Sequence, residues 1–367
     1  MFNGPWVQEL GRVPWGIVLV VTALASFGCV ILYSAAGGSL SPWALKHGLR
    51  FIILMTVSIG IALVKPERWL ALAWPIYGAV LVGLIGVELL GRVGGGSQRW
   101  LDLGFIQLQP SEFMKIAVVM VLARYYHFLP KGYETRLNAL LPALALIALP
   151  AALVMLQPDL GTALSITFGG VMVMFLAGVR LWLFLGAGVA AIGALPIAWS
   201  MLHDYQRKRV LIFLDPATDP RGAGYHITQS KIAIGSGGFS GKGYLAGTQS
   251  HLDYLPELQT DFIFATMAEE WGFLGGLFII VMYGAVLAWG ISVALQARGQ
   301  FQRLLAMGLT MTLFFYLAIN MMMVMGLAPV VGIPLPLISY GGSAMMTVLV
   351  LLGLIMGIAR QNKLPQN

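Results

Sequence analysis

The amino-acid sequence predicts an all-α integral membrane protein of ten transmembrane helices, with one large extracytoplasmic loop between helices 7 and 8. Of the 367 residues, 58% are hydrophobic and 10% are charged. The mean hydropathy is +0.83, which lies outside the range of ordinary soluble domains. Apolar windows of spanning length recur along the chain, and the polar, glycine-rich stretch 203–264 interrupts them. We therefore expect a single transmembrane domain over residues 1–367.

Each predicted helix corresponds to one apolar window. The first window follows a short segment with both signs of charge, which indicates a retained helix and not a cleaved signal peptide. The sixth and seventh windows are so close that we expect a tight hairpin between them. The single cysteine, Cys29, excludes a disulfide framework. The windows are 14–34, 44–64, 69–90, 111–129, 139–157, 160–178, 181–202, 265–295, 303–326 and 341–360.

The lysines and arginines of the short connections predict that both termini are cytoplasmic, because positive charge is enriched on that side. The long loop then faces outward. The cations are spread over many connections, so the net charge of +7 does not indicate a nucleic-acid partner. The predicted inner set is Arg12, Lys65, Arg68, Arg124, Lys131, Arg136, Arg180, Arg298, Arg303, Arg360 and Lys363, against an outer set of Lys46, Arg50, Arg92 and Arg99.

The segment GGGSQRWLDLGFIQLQPSEFMK, residues 94–115, carries charge at the outer mouth of the fourth helix. Pro110 and Ser111 predict a helix start with Ser111 as the N-cap. Glu112 and Lys115 then lie on one helical face, where charges are costly unless they are paired or functional. A structural ion pair and a functional role both remain open.

Two further outer segments contain unusual residues for a membrane protein. In QPDLGT, residues 157–162, Asp159 either caps the following helix or acts directly. In PVVGIPLPLISYGGS, residues 329–343, the prolines prevent a regular helix. Irregular backbone near membrane depth is tolerated where it is buried in protein or lines a cavity, so this segment predicts a cavity wall.

The long loop contains a basic cluster and a glycine-rich run. Arg207, Lys208 and Arg209 either contact lipid headgroups or bind a phosphorylated lipid. The run GSGGFSGKG, residues 235–243, does not match the nucleotide-binding P-loop pattern, which requires Gly in place of Ser236 and Ser or Thr in place of Gly243. Its glycines permit either a close backbone approach to a ligand or a flexible loop.

Asp261 stands at the start of the apolar run TDFIFATMAEEWGFLGG. A helix from Thr260 would place Ala265, Ala268 and Gly272 on the same face as Asp261. A carboxylate above a strip of small residues has space in front of it, as a general base needs. An N-cap role is the alternative.

Taken together, the motifs resemble the shape, elongation, division and sporulation family over nearly the whole chain. GTQ at 247–249 is closer to the rod-shape branch than to the division branch. The chain departs from the common pattern at Leu258 and Gln259, where the family often has a basic residue and a histidine. The matching motifs are GGxxRW (95–100), QPSExxK (109–115), QPDLGT (157–162), FLDPxxDPxGxGYxxxQSxIAIGSGGxxGKG (213–243), LPExxTDFIFA (255–265) and PLISYGG (336–342).

The resemblance implies a peptidoglycan glycosyltransferase of the bacterial cytoplasmic membrane. Such an enzyme polymerises lipid II at the outer leaflet during cell-wall elongation, with a class B penicillin-binding protein and the elongation machinery as partners. The apolar outer face of helices 8 and 9 is the predicted docking surface for that partner. A divalent cation, Mg²⁺ or Mn²⁺, is compatible with the outer carboxylates, but the sequence does not require one.

The expected site residues follow from the chemistry of sugar transfer. Asp261 is the candidate general base. Positive charge is needed for the leaving diphosphate. The candidates for that charge are Lys115, oriented by Glu112, and Arg207, Lys208 and Arg209; Arg99 and Trp100 are expected to line the entrance, and Asp159, Gln229 and Lys231 to contact substrate.

Two other classes of protein compete with the enzyme. A lipid II flippase fits a bundle of many helices, but alternating access favours charges near the midplane, and here they cluster at one face. A non-catalytic scaffold would leave the outer carboxylates unexplained. For the lipid tail, we expect a groove at small faces such as Gly169–Gly170 or Gly275–Gly276.

Overall fold

The computed structural model describes residues 9–90, 92–94, 97–102, 107–201, 204–219, 222–251 and 258–363. The chain is mostly helical. The helices are α1 (Trp15–Ala35), α2 (Ala44–Leu63), α3 (Pro66–Leu90), α4 (Pro110–Phe128), α5 (Leu137–Leu156), α6 (Leu160–Leu176), α7 (Leu181–Gly193), α8 (Leu195–Met201), α9 (Asp204–Leu214), α10 (Ala223–Gly237), α11 (Thr248–His251), α12 (Ile263–Leu295), α13 (Gln300–Val324) and α14 (Gly342–Asn362).

The helices confirm a multi-pass membrane architecture at a coarse level. Within the described ranges, seven helices are long and apolar enough to cross a membrane, namely α1, α2, α3, α5, α12, α13 and α14. Helices α6 and α7 are apolar but shorter. The count of ten spans and the outward placement of the long loop stay predictions, as do the cytoplasmic termini.

The connection between α3 and α4 contains strands that the all-α prediction did not include. Three short strands lie there, β1 (Arg92–Gly94), β2 (Ser97–Asp102) and β3 (Gln107–Leu108). They form an antiparallel sheet in the order β1-β2-β3. The sheet covers the polar end of α4 because β2 packs against both α3 and α4.

The long loop also contains helices, which its polar composition concealed. Helix α10 packs against α12 and buries Ile227 and Ala233. The hydroxyl of Ser230 donates a hydrogen bond of 2.7 Å to the carbonyl of Val324, at the end of α13. The predicted window 181–202 is divided into α7 and α8, and none of the described residues of α7 is buried.

Helix α4 lies at the centre of the bundle. It contacts α3, α5, α6, α13 and α14. Residues 114–123 are buried without interruption, so α4 buries every face of its middle turns. Because α4 is central, the charged residues of its first turns, Glu112 and Lys115, are buried inside the protein.

The glycine-rich run 235–243 packs against a break in α12. Gly272 has φ 60° and ψ −153°, which interrupts the helix. The amide of Phe273 donates to the carbonyl of Gly238 at 2.9 Å, and the amide of Lys242 donates to the carbonyl of Glu269 at 3.0 Å. These bonds hold the run against α12, so it is not a free loop, and its glycines permit the close approach of two backbones. A contact between the run and a ligand stays a prediction.

We expect Gly237→Ala to destabilise the protein, by about 1–3 kcal/mol or more. A Cβ at Gly237 would overlap the carbonyl oxygen of Ala268 in α12. Gly235→Ala is the matched control, because a Cβ at Gly235, two residues earlier, meets no atom within 4 Å. Thermal melting of the purified variants measures the difference, and equal melting temperatures would contradict this packing.

Candidate active site

A cavity of about 290 Å³ lies at the end of the bundle where α4, α6 and α14 begin, and it is called the polar cavity here because charged side chains line it. Irregular segments form much of its wall, including the turn before α12 and the proline-rich segment 329–343, whose predicted place in a cavity wall is confirmed. The lining residues are Arg99, Trp100, Gln109, Glu112, Asp159, Thr162, Thr260, Asp261, Gly332, Pro334, Tyr340, Gly341, Gly342, Ser343 and Ala344.

Asp261 lines the cavity from the turn that precedes α12. The helix begins at Ile263 with Phe262 as its N-cap residue, so the expected helix from Thr260 is wrong. Because Gly272 also breaks α12, the predicted strip of small residues below Asp261 does not form as a continuous helical face. Across the cavity, the carboxylate faces Gly332, whose Cβ position lies 3.6 Å from Asp261 Oδ2.

Hydrogen bonds hold the backbone on both sides of Asp261. Three successive carbonyls accept one bond each from a different residue of α13 or the proline-rich segment. These bonds leave the backbone of Asp261 little freedom to move relative to the cavity wall. The bonds run from Tyr340 N to Gln259 O at 2.8 Å, from Ser339 Oγ to Thr260 O at 2.6 Å and from Asn320 Nδ2 to Asp261 O at 3.0 Å.

Glu112 and Lys115 form a buried cluster with Tyr316 of α13. Lys115 Nζ donates to Glu112 Oε1 at 2.6 Å, and the Tyr316 hydroxyl donates to Glu112 Oε2 at 2.6 Å. Lys115 also donates to the Tyr316 hydroxyl. Only 6% of Glu112 and 2% of Lys115 is exposed. The predicted ion pair is confirmed, and Glu112 lines the cavity while Lys115 lies behind it.

The first turn of α4 differs from the expectation in one detail. The helix begins at Pro110 and its N-cap residue is Gln109, so the predicted N-cap at Ser111 is wrong. The Ser111 hydroxyl accepts a hydrogen bond of 3.1 Å from the Gln109 side chain. A proline at the first helical position explains the earlier start, because it has no amide that needs a cap.

Arg99 and Asp159 meet on the other side of the cavity. Arg99 donates to the carbonyls of residues 157 and 158 at 3.1 and 2.5 Å. Its Nη1 lies 4.0 Å from Asp159 Oδ2. Asp159 Oδ1 accepts the Thr162 amide at 3.1 Å, so the predicted cap of α6 is confirmed. The same carboxylate lines the cavity, and its Oδ2 accepts a hydrogen bond of 3.3 Å from Gln109 Nε2. This bond joins the start of α4 to the start of α6.

A larger, mostly apolar cavity of about 650 Å³ adjoins the polar cavity. The two share Trp100, Tyr340 and residues 341–343. Ile53 on α2 lines the apolar cavity and is 63% exposed, so this cavity opens through the side of the bundle. The lining residues are Arg50, Ile53, Leu54, Trp100, Leu108, Phe113, Tyr340, Gly341, Gly342, Ser343 and Met346.

The expected lipid groove is wrong at one of the two glycine pairs. A Cβ at Gly170 would overlap the Ile147 side chain of α5, and one at Gly169 would lie 2.9 Å from the Thr312 hydroxyl of α13. Gly169 and Gly170 therefore permit helix packing and leave no room for an acyl chain. At the second pair, a Cβ at Gly276 would meet no atom closer than 3.8 Å, so a groove there stays a prediction.

Arg50 lines the apolar cavity and is absent from the site residues expected from the sequence. Its guanidinium carbon lies 5.1 Å from the centre of the Tyr340 ring. Its Nη1 lies 3.5 Å from the Cβ position of Gly342, at the first turn of α14. Arg50 is a cation inside an apolar helix, which marks a functional residue by default. That signal was present in the sequence.

The predicted loop cations contact other parts of the protein. Arg207 donates to the carbonyls of Trp199 and Ser200 at 3.1 and 2.7 Å. Lys208 lies 3.9 Å from Asp219 at an exposed position. The side chain of Arg209 lies outside the described residues. Neither Arg207 nor Lys208 lines the two cavities, and their predicted role with a diphosphate stays a prediction.

Gln229 and Lys231 lie on α10 and do not line either cavity. Lys231 is exposed and packs against Gly326, after the end of α13. Gln229 is half-buried. Their predicted contact with substrate also stays a prediction.

The fold and the cavities define a multi-pass helical membrane protein with a charged site at one end and an apolar side opening next to it. Residues 15–364 match the family of FtsW, RodA and SpoVE, described as cell cycle proteins. The chain belongs to this family.

Known relatives match nearly the full length of the chain. The peptidoglycan glycosyltransferase MrdB of Escherichia coli K12 is 42% identical over 95% of this chain and 94% of its own. A chain solved in a study of the structural coordination of polymerization and crosslinking by a peptidoglycan synthase complex has a TM-score of 0.83 and 32% identity, covering 96% of this chain and 98% of its own. The crystal structure of Thermus thermophilus RodA has a TM-score of 0.72 and 28% identity, with the same coverage.

Proposed function

We propose that this chain is a peptidoglycan glycosyltransferase that polymerises lipid II into glycan strands, with Asp261 as the general base. The observation that carries the proposal is the junction of the two cavities. The polar cavity presents Asp261, Glu112 and Arg99, and the apolar cavity beside it opens through the side of the bundle. A lipid-linked sugar diphosphate has the same division into a polar head and an apolar chain.

The reaction moves a sugar from a diphosphate to a hydroxyl. Asp261 takes the proton of the acceptor hydroxyl while that oxygen bonds to the anomeric carbon of the donor. The bond from that carbon to the diphosphate oxygen breaks, and the lipid diphosphate leaves with the bonding electrons. A positioned general base contributes about 10²–10⁴-fold to such a rate.

Two arginines are placed to stabilise the leaving diphosphate. Arg99 lines the polar cavity and Arg50 lines the apolar cavity near their shared wall. Guanidinium groups match phosphate oxygens and remain charged at any working pH. The free amides at the start of α14 lie beside Arg50 and add positive potential. These groups replace Lys115 as the first candidates for diphosphate binding, since Lys115 is committed to Glu112 and Tyr316.

A divalent cation would enter with the substrate. Among the described residues, no three His, Cys, Asp or Glu side chains come close enough together to hold a metal. Asp159 and Asp261 line the same cavity. Mg²⁺ and Mn²⁺ are commonly held by one or two carboxylates together with substrate phosphates, and these two carboxylates could supply such ligands.

The partner proposed for this chain is a class B penicillin-binding protein of the elongation machinery. The support is the fold shared with the chain from the synthase complex. The exposed apolar face of α12, with Phe273, Leu277 and Val281, suits a partner helix in the membrane. We place both termini on the cytoplasmic side and the cavities on the outer side, as the charge distribution predicts.

Arg50→Gln should raise the KM for lipid II by about tenfold or more, because hydrogen bonds to charged groups contribute about 1.5–3 kcal/mol. Lys46→Gln is the control. Lys46 lies one turn earlier on α2, is exposed, and does not line either cavity. Steady-state polymerisation kinetics measure both variants, and an unchanged KM in Arg50→Gln would remove Arg50 from the diphosphate site.

Polymerisation in detergent micelles separates an enzyme from a flippase, because micelles offer no second leaflet. The purified protein is mixed with labelled lipid II and its penicillin-binding partner, whose own active site is blocked by a β-lactam. We expect glycan strands that a muramidase degrades. Absence of glycan, together with transfer of lipid II across the bilayer of proteoliposomes, would favour the flippase.

A further inference from the structure

We propose that Asn320 is a positioning residue for Asp261, acting as a clamp that joins the turn of the general base to the opposite cavity wall. This inference rests on the proposed function. Asn320 lies on α13, is completely buried, and does not line either cavity. Its effect on the reaction therefore passes through the backbone that it holds.

The clamp consists of one side-chain amide and two carbonyl groups. Asn320 Nδ2 donates to the carbonyl of Asp261 at 3.0 Å and to that of Ile333 at 2.7 Å. Asp261 belongs to the turn before α12, and Ile333 belongs to the proline-rich segment. Neither segment has regular secondary structure at these points, so helix or sheet hydrogen bonds do not fix them relative to each other.

The geometry links the clamp to the carboxylate itself. Gly332 precedes the clamped Ile333, and its Cβ position lies 3.6 Å from Asp261 Oδ2. Gly332 has φ 71°, a conformation that glycine adopts without strain. By holding Ile333 and Asp261 on one amide group, Asn320 sets the distance between the carboxylate and the wall that faces it.

The chemistry requires an amide at this position. The side-chain NH₂ group of asparagine has two hydrogens and can donate to two carbonyls. An ionised aspartate has only acceptors, and leucine has neither donors nor acceptors. Asn320 Oδ1 is buried and has no hydrogen-bond partner among the described residues. A buried polar atom without a partner is unfavourable, so an asparagine selected only for stability would be a poor choice.

Helix α13 also connects the clamp to the Glu112 cluster. Tyr316, which donates to Glu112, lies one turn before Asn320 on the same helix. A single rigid helix thus holds the Asp261 turn at one point and the Glu112 carboxylate at another. Two of the three carboxylates that line the cavity, those of Glu112 and Asp261, are therefore held in place by α13.

The kinetic test compares Asn320→Leu and Asn320→Asp with the wild type. We expect kcat for polymerisation to fall about 10- to 100-fold in both, since small misplacements of reacting groups cost about that much, while KM stays within about twofold because Asn320 does not contact the cavity. Thr310→Val is the matched control. Thr310 is a buried residue of α13 whose hydroxyl bonds, within the described part of the chain, only to Ala306 of its own helix, and we expect wild-type kinetics.

Hydrogen exchange tests the clamp without reference to activity. The Tyr340 amide donates to the carbonyl of Gln259, which lies in the turn that contains Asp261. Loosening that turn should therefore speed hydrogen exchange of the Tyr340 amide by about tenfold or more. Mass spectrometry of peptides that cover residues 335–342 and 258–266 measures this in the Asn320 variants and in Thr310→Val. Ser339→Ala, which removes the neighbouring bond to Thr260, should give the same signature and serves where the Asn320 variants cannot be purified.

The two arms separate the failure of the clamp from that of the proposed function. Lower kcat with faster exchange, and neither change in Thr310→Val, supports the clamp. Wild-type kcat or unchanged exchange in the Asn320 variants overturns it. An equal loss of kcat in Thr310→Val also overturns it, because any buried change in α13 would then suffice. Absence of glycan from the wild type overturns the proposed function, and the clamp's role in it, whatever the exchange shows.

Discussion

Asp261→Asn should lower the rate of lipid II polymerisation by about 10²–10⁴-fold, the contribution of a positioned general base. Asparagine is nearly isosteric with aspartate but cannot take a proton from the acceptor hydroxyl. The backbone bonds that hold residues 259–261 involve carbonyls and not this side chain, so the turn should survive. Expression, melting temperature and binding of lipid II should stay close to those of the wild type.

The matched control for this change is Glu67→Gln. Glu67 lies in the first turn of α3, where it accepts a hydrogen bond from Gln361 near the C-terminal end of α14. Those positions are at the opposite end of α14 from the cavity. The control makes the same chemical replacement and should polymerise normally. Wild-type turnover in Asp261→Asn would remove Asp261 as the base.

Glu112→Ala should reduce both stability and activity. Lys115 would then lose its anionic partner in a buried site and retain the hydrogen bond to Tyr316. Removing one member of a buried ion pair typically costs about 3–5 kcal/mol, because the other charge stays desolvated. Glu112 also lines the cavity, so polymerisation should fall as well. Thermal melting and polymerisation of the purified variant measure the two effects.

The double variant Glu112→Ala/Lys115→Met separates these effects. Removing the buried charge together with its partner should recover most of the melting temperature, because an apolar replacement of a buried pair is often neutral. Activity should remain low, because the cavity still lacks the carboxylate of Glu112. A single Glu112→Ala variant with wild-type melting and turnover would show that the pair has no role in either.

Local patterns in the sequence predicted the parts of the site that depend on neighbouring residues. The pairing of Glu112 with Lys115 follows from helical spacing, and the cap formed by Asp159 follows from its place before α6. The cavity wall at 329–343 follows from prolines that prevent a helix. Each of these features involves residues within one short segment, so a single sequence contains the signal.

Contacts between distant segments could not be predicted in this way. Tyr316 is 204 residues from Glu112, and Asn320 reaches Asp261 across 59 residues. The hydrophobic periodicity of a single sequence contains no signal for either contact. Thr260 and Asp261 are good N-cap residue types and predict an earlier start for α12. Tertiary hydrogen bonds hold both residues in a turn, and the helix begins at Ile263.

The fold departed from the prediction where composition concealed structure. The long loop is polar on average, but Ile227 and Ala233 on α10 are buried. The glycines of the run 235–243 predict either a ligand contact or a flexible loop, because glycine permits both. Its actual contact is the broken helix at Gly272, and a helix break at a single glycine within an apolar span leaves no clear pattern.

A structure of Asp261→Asn with bound lipid II tests the central claim most directly, because the variant should bind substrate without consuming it. We predict the sugars beside residue 261 in the polar cavity, the diphosphate between Arg99 and Arg50, and the start of the polyprenyl chain along Ile53 and Phe113. Lipid II bound at another surface, with both cavities empty, would contradict the account.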